Sequence, residues 1–375
     1  MLKRIYINAI AVLLIAASLL SLFGCKKQKY EPVESTEEES KVVMRLQYKD
    51  KTYEVKYELY RAFFLNYKSQ VDGGDASVWN GENKAEYINR INDIIISKIC
   101  YIYSALEVAR QCGIDMYSKE VEEQIEEYVR ASVEGDTEMG VAGYGDYNKY
   151  LEALKKDNLN YQTQVLLYRY SIAVDKIQNY FIGNLTEDGK DIDTTNGQLT
   201  YTVEDVKSFY YSNDCLRIMR AYINSDHFTE DEAAERAERL RSYIITAASV
   251  GDSEVALKIV QNSTSSMADV EKGVIARYNL NEMYYSDLTK AAFALEEHGV
   301  SDIVAISDNL GKGLYILYRA EKNDAHFEKH YNYIAYTYLT NIIGGMHTGV
   351  SLSLKASASF TAEYESIVHA SINMG

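Results

Sequence analysis

Proline is almost missing from this chain. The 375 residues hold one, Pro32, so nothing of that kind interrupts a helix beyond the first forty positions, while 21 glycines remain to punctuate turns. A basic excess is missing too: 39 Lys and Arg stand against 55 Asp and Glu, a net charge of −16, which leaves no surface to neutralise a phosphate backbone and excludes nucleic acid as a partner. Cysteine is scarce, at four residues, and Cys100, Cys112 and Cys215 follow no zinc spacing. Cys100 and Cys112 on one continuous helix would lie about 18 Å apart, beyond the reach of a disulfide, so these residues read as buried free thiols. No G-x-S-x-G stretch and no phosphate-cradling glycine loop occurs, which leaves hydrolase and nucleotide chemistry unsupported. What the chain has in quantity is apolar residues, at 47%, and 34 tyrosines, enough for two or three domains with cores of their own.

The single long apolar run is Ala9–Phe23, preceded by Lys3 and Arg4 and followed by Gly24-Cys25. It is too short for a comfortable membrane span and reads as an export signal, with a small residue before cysteine in the manner of a bacterial lipobox. Residues 1–25 are therefore expected to be a lipoprotein signal peptide, with Cys25 diacylated and the mature chain held to a bacterial membrane outside the cytoplasm. Removing residues 1–24 takes away two positive charges and no acid, which leaves −18. Residues 26–41 mix charge, Ser, Thr and Pro32, and read as a flexible, solvated tether.

Periodicity organises the rest. Val43, Arg45 and Gln47 alternate with Met44, Leu46 and Tyr48, a strand or hairpin through Tyr53 and Val55, followed by a helix carrying Tyr60, Phe63, Phe64 and Tyr67. Ile91, Ile95, Ile99, Ile102, Leu106 and Ala109 mark one face of a long helix ending at Gly113; Ser118 opens an acidic one that the glycine-rich stretch 135–145 breaks. Helices at 147–156 and 162–181 complete a helical N-terminal lobe, 42–183. A turn-rich linker and short helix, with Thr202 as cap, fill 184–213. Residues 214–321 form a small α+β module: a strand at Cys215–Ile223, helices at 230–248 and 254–261, a loop, a strand at 273–278, a helix at 286–295 and a strand at 313–319. Phe327, Tyr331, Ile334, Tyr338 and Ile342 return to helical spacing, so 322–375 is read as a C-terminal helical segment packing on the N-terminal lobe. The fold class is α+β, mostly helical.

That order of elements resembles the PrsA/SurA-type foldases, in which a parvulin-type peptidyl-prolyl isomerase domain is inserted between helical segments. Ala291-Ala292-Phe293-Ala294-Leu295 followed by Gly299-Val300-Ser301 resembles A-A-F-x-L-x-x-G-x-V-S, and Gly313-Leu314-Tyr315-Ile316-Leu317 stands where G-Y-H-I-I belongs. Gly113-Ile114-Asp115 before the acidic helix fits the family's N-terminal lobe. The resemblance implies a membrane-anchored extracytoplasmic chaperone or foldase, with unfolded or newly exported polypeptides as partners and no cofactor.

It implies a pocket as well, of two histidines, an Asp or Cys, and apolar side chains around a substrate proline. Here Arg220 falls at the first histidine, Tyr315 at the second, Tyr284 and Leu288 at the Met and Phe positions, and Asn262–Ser266 supplies neither Asp nor Cys. The pocket residues Arg220, Tyr284, Leu288 and Tyr315 are thus vestigial, and the module is expected to be catalytically silent. Isomerisation is a rotation over an amide barrier of about 20 kcal/mol, lowered by placed hydrogen bonds rather than by a nucleophile, so an active isomerase with a rebuilt pocket is the alternative. A solute-binding lipoprotein is a further alternative and requires paired α/β lobes with parallel strands. His326 and His330, four apart, have zinc geometry without a third ligand and read as a surface or lobe-interface pair. Tyrosines lining a cleft offer amphipathic surface to unfolded chains.

Overall fold

The computed structural model describes residues 29–137, 141–185, 192–193, 197–224, 228–278, 282–308 and 311–367. Cys25 and the rest of the expected signal peptide lie outside the described residues. The elements run β1 (Val42–Tyr48), β2 (Lys51–Lys56), α1 (Tyr57–Asp72), a 3-10 turn (Ala76–Asn80), α2 (Lys84–Gln111), α3 (Lys119–Glu134), α4 (Tyr147–Lys156), α5 (Tyr161–Phe181), β3 (Asn184–Leu185), β4 (Ile192–Asp193) and α6 (Val203–Tyr211). They continue with β5 (Cys215–Asn224), α7 (Glu230–Ala248), α8 (Asp252–Asn262), α9 (Met267–Lys272), β6 (Val274–Ala276), α10 (Glu282–Phe293), β7 (Val304–Asp308), β8 (Gly311–Arg319), α11 (Asp324–Lys329), α12 (Tyr331–Ser357) and β9 (Ser359–Phe360). The fold is α+β and mostly helical, as the periodicity requires. Among the described residues no helix is long and apolar enough to cross a membrane.

The chain divides into two compact units, one holding the described residues of 181–184 and 193–345, the other those up to Tyr180, of 185–192 and from Met346 onward. Residues 322–375, read from the sequence as one segment, contribute to both. Phe327, Ile334 and Ala335 share a core with Val206, Phe209, Tyr210, Cys215, Val274 and Ala276, because the apolar residues of α11 and of α12's first half meet the buried faces of α6, β5 and β6.

In the other unit α2 buries Ile91, Ile95, Ile99 and Ile102 completely, the stripe its spacing implies. Local chemistry sets the helix ends. Ser118 Oγ accepts the Val121 amide at the start of α3, and Asp146 Oδ1 accepts those of Asn148 and Lys149 at the start of α4. The chain's last described residues close on its first strand: β9 pairs antiparallel with β1, Met44 opposite Phe360, and Tyr60 donates to Asn92 Oδ1 at 2.7 Å while Asn92 Nδ2 donates to Tyr364. β1 also pairs antiparallel with β2, which makes a three-stranded sheet of order β2-β1-β9.

The expected tether differs from a solvated strand. From Lys29 onward it lies against this unit, with Tyr30 stacked on Tyr147 at 5.0 Å between ring centroids. Its polar composition keeps it exposed, yet side chains of α3, α4 and α5 hold it by hydrogen bonds that composition does not reveal.

Candidate peptide-binding site

The module 215–319 is a four-stranded antiparallel sheet of order β6-β5-β8-β7. Antiparallel pairing throughout departs from the parallel strands that a solute-binding protein of two α/β lobes requires. Period-two alternation gives β5 two faces. Met219, Ala221 and Ile223 pack with Ile316 and Tyr318 against Ala237, Leu240 and Ile244 of α7 and Val255 and Ile259 of α8. Leu216 and Ile218 pack on the opposite face with Leu317, Ile275, Leu288 and Ala292, edged by Val304, Ile306 and Tyr315.

Arg220 and Tyr222 follow Ile218 on that second face, both half-buried. Three of the four sequence-predicted pocket residues are therefore brought together: Leu288 in the apolar floor, Tyr315 at its edge and Arg220 on the neighbouring strand. Tyr284 lies on α10, and its side chain is outside the described residues. The register adds a residue that sequence reasoning missed. Tyr315 stands opposite Tyr222, with rings 4.7 Å apart and inclined at 34°, whereas Arg220 stands opposite Leu317. The signal was there to read, since a tyrosine two residues after Arg220 shares its face. Gly313 makes room for the pair: a Cβ there would sit 2.1 Å from Tyr222 Cε2.

The motifs that carried the resemblance have physical work in this sheet. Ser301 Oγ accepts the Leu317 amide at 2.9 Å and the Ser301 amide donates to Leu317 O, so the Gly-Val-Ser turn stitches onto β8. Ala292 is fully buried against the sheet, and the Leu295 carbonyl accepts Arg319 Nη1. The 262–266 run, which carries no Asp or Cys, covers the edge of β5 beyond β6. Ser265 Oγ accepts the Tyr222 amide at 3.1 Å and donates to the Arg220 carbonyl at 3.0 Å, while the Thr264 amide and hydroxyl both donate to Tyr222 O. The chemistry of this face is that of two half-buried phenols and a guanidinium beside a buried apolar floor. His298 lies on the opposite side. Its Nδ1 meets the Tyr318 hydroxyl, which donates to Asp252 Oδ1, and Asp252 Oδ2 accepts Arg217.

The remaining polar candidates are structural. His326 is buried; its Nε2 donates to Glu271 O at 2.9 Å, which leaves Nδ1 to accept from Tyr210 at 3.0 Å. Both His326 ring nitrogens are used, so His326 has none left to share a metal with His330, and no group of three metal-ready ligands occurs among the described residues. Cys100, Cys112 and Cys215 are free, and burial pushes the Cys100 and Cys215 thiols up to about 12.

Burial, helped by the Arg217 charge, lowers His326 from 6.5 to about 4. The unfolded chain thus binds a proton near pH 6.5 that the folded one refuses until about pH 4. The His326 contribution is complete above pH 6.5 and is lost as pH falls through that window. Between pH 7 and 4.5 it amounts to roughly 2 kcal/mol. His326→Gln is expected to remove that part of the pH dependence in denaturant titrations at the two pH values; equal slopes for variant and wild type would refute it.

No protein-family model matches this chain, and no curated protein matches it. Among solved structures it is similar to the foldase protein PrsA from Streptococcus pneumoniae strain Canada MDR_19A, with 17% identity and a TM-score of 0.28 over 73% of this chain and 88% of that one. It is also similar to the foldase protein PrsA from Lactococcus lactis, with 12% identity and a TM-score of 0.21 over 88% and 99%. Both scores are too low to carry fold or function across.

Proposed function

We propose that this chain is an extracytoplasmic chaperone that holds unfolded, newly exported polypeptides, anchored to a bacterial membrane through diacylated Cys25. Its 214–321 module is a parvulin-like one that binds peptide without accelerating proline isomerisation. The observation that carries this reading is the Tyr222–Tyr315 pair beside Arg220, above the floor formed by Ile218, Leu288 and Leu317. Such a face offers a chain apolar contact and a few donors. It puts the Arg220 guanidinium and the Tyr315 phenol where the resemblance calls for imidazoles, so the hydrogen bonding that weakens amide resonance is altered. Further support comes from the order of elements, a strand, helices, a strand, a helix and a hairpin on one sheet, and from the structural roles of the Ala291–Leu295 and Gly299–Ser301 motifs.

The test pairs two assays on the full chain: suppression of aggregation of a proline-free unfolded client, and isomerisation of a proline peptide. Suppression is expected with isomerisation at the background rate, and Tyr222→Ala with Tyr315→Ala is expected to weaken peptide binding about tenfold, in keeping with two stacked aromatics. Accelerated isomerisation abolished by either variant identifies an active isomerase instead, and a lack of suppression removes the chaperone reading. Loss of membrane association and of fatty-acid labelling in Cys25→Ala checks the anchor.

A further inference from the structure

Residues 29–36 lie along the helical unit as a strap without regular secondary structure, and the way they are held has the chemistry of a peptide complex. Tyr147 donates its hydroxyl to the Glu31 carbonyl at 2.6 Å, and Gln162 Nε2 donates to the Val33 carbonyl at 3.0 Å. Side chains of α4 and α5 thus each read one backbone carbonyl of the strap, two residues apart. Pro32 between them restricts its own φ and keeps Glu31 out of the helical region. The Tyr30 ring stacks on Tyr147, and Tyr147 stacks in turn on Tyr150 at 6.1 Å and 25°. Tyr30 is the outermost member of that file, and the strap contributes it. At the two ends Lys29 pairs with Glu126, and Ser35 donates to Glu58, which also accepts Asn160 Nδ2 at 2.8 Å.

Two of these contacts go to backbone oxygens that every polypeptide has, and one is an aromatic slot. Lys29, Glu31, Pro32, Val33 and Glu34 are themselves exposed. The strap therefore covers this face of α3, α4 and α5 without burying itself, as a displaceable ligand does.

We propose that this face of α3, α4 and α5 is a second binding site for extended polypeptide carrying an aromatic side chain, occupied in cis by residues 29–36, which regulate access to it. The inference rests on the chaperone reading for the identity of the competitor, an unfolded client segment. The strap lies directly after the expected anchor, so occupancy of the face by a client releases the same residues that connect the folded part to the membrane.

The experiment measures binding of a fluorescent peptide of sequence Lys29–Thr36 to the full chain by anisotropy, beside the aggregation assay. Tyr30→Ser is expected to bind the peptide at least tenfold tighter than wild type, because the internal competitor is weakened. Tyr147→Phe with Gln162→Ala in that background is expected to reverse the gain. Pro32→Gly, which loosens the strap without removing a side-chain contact, gives the same direction should Tyr30→Ser fail to fold. Equal affinity of wild type and both strap variants, with unchanged circular dichroism, overturns the proposal. Tighter peptide binding with no change in aggregation suppression overturns the claim that clients use the face and leaves the chaperone reading standing. Absence of suppression in every protein, with the peptide result as expected, removes the chaperone reading and leaves the peptide site.

Discussion

Trp79→Ala is expected to destabilise the helical unit by about 3–5 kcal/mol, the cost of a large cavity where a buried indole was. Trp79 is fully buried against Phe64 and Tyr87, at 5.6 and 6.0 Å between ring centroids. Its Nε1 donates to Asp72 Oδ2 at 2.7 Å, and Asp72 Oδ1 accepts the Gly74 amide, so the carboxylate ties the end of α1 to the 3-10 turn. Alanine removes the ring and orphans one carboxylate oxygen, a further loss of about 1–3 kcal/mol if the site stays dry. Trp79→Phe retains most of the packing and loses the hydrogen bond, so it should fall between alanine and wild type. Guanidinium titrations followed by circular dichroism check the order. A cost below about 1 kcal/mol for alanine would mean that the ring is not part of a close-packed core.

The second large effect belongs to the module. Gly273→Ala is expected to cost about 2–4 kcal/mol, because a Cβ at that position would lie 2.2 Å from the Ile218 carbonyl oxygen, and neither partner is a side chain that can swing away. The strands must part, breaking the Ile218 amide to Gly273 O bond of 3.0 Å and loosening the Leu216–Ile275 and Arg217–Val274 pairs. Hydrogen exchange of the Ile218 amide reads this directly and should quicken by tenfold or more. Since Ile218, Arg220 and Tyr222 share a face of β5, peptide affinity should fall with it, in contrast to an exposed-loop substitution such as Val250→Ala, which should leave both unchanged. Unaltered exchange at Ile218 in the variant would show that the sheet relaxes around the added methyl.

Several elements were legible because their causes lie within a few residues. The bounds of α4 and α7 follow from Asp146, and from Thr229 with Glu232 three residues on; in α7 each of the two side chains accepts the other's backbone amide. The stripe of α2 and the alternation of β5 are equally local, so the fold class and most of the module's elements could be read directly. Other features depend on residues far apart in the chain. Val304–Asp308 is too short to show a pattern and becomes strand β7 only because β8 pairs with it from Val304–Tyr315 to Asp308–Gly311. Met267–Lys272 is one short helix behind the Ser266 cap, with too few residues for a period, so its sequence reads as loop. The two residues of β9 are a strand only by virtue of β1.

The candidate site divides in the same way. Spacing by itself determined that Arg220, Leu288 and Tyr315 belong to one module; that a guanidinium and a phenol stand there in place of imidazoles is what the resemblance to the PrsA/SurA-type foldases implies. Only the tertiary structure decided that Tyr222 is Tyr315's partner and Arg220 is not, because cross-strand register is set by how two distant strands hydrogen-bond, and a shift of two residues preserves every alternation that the sequence displays. It likewise decided that residues 29–36 are held rather than free. A polar segment reads as solvated from its composition, and the ring and donors that hold it, Tyr147 and Gln162, stand more than a hundred residues away.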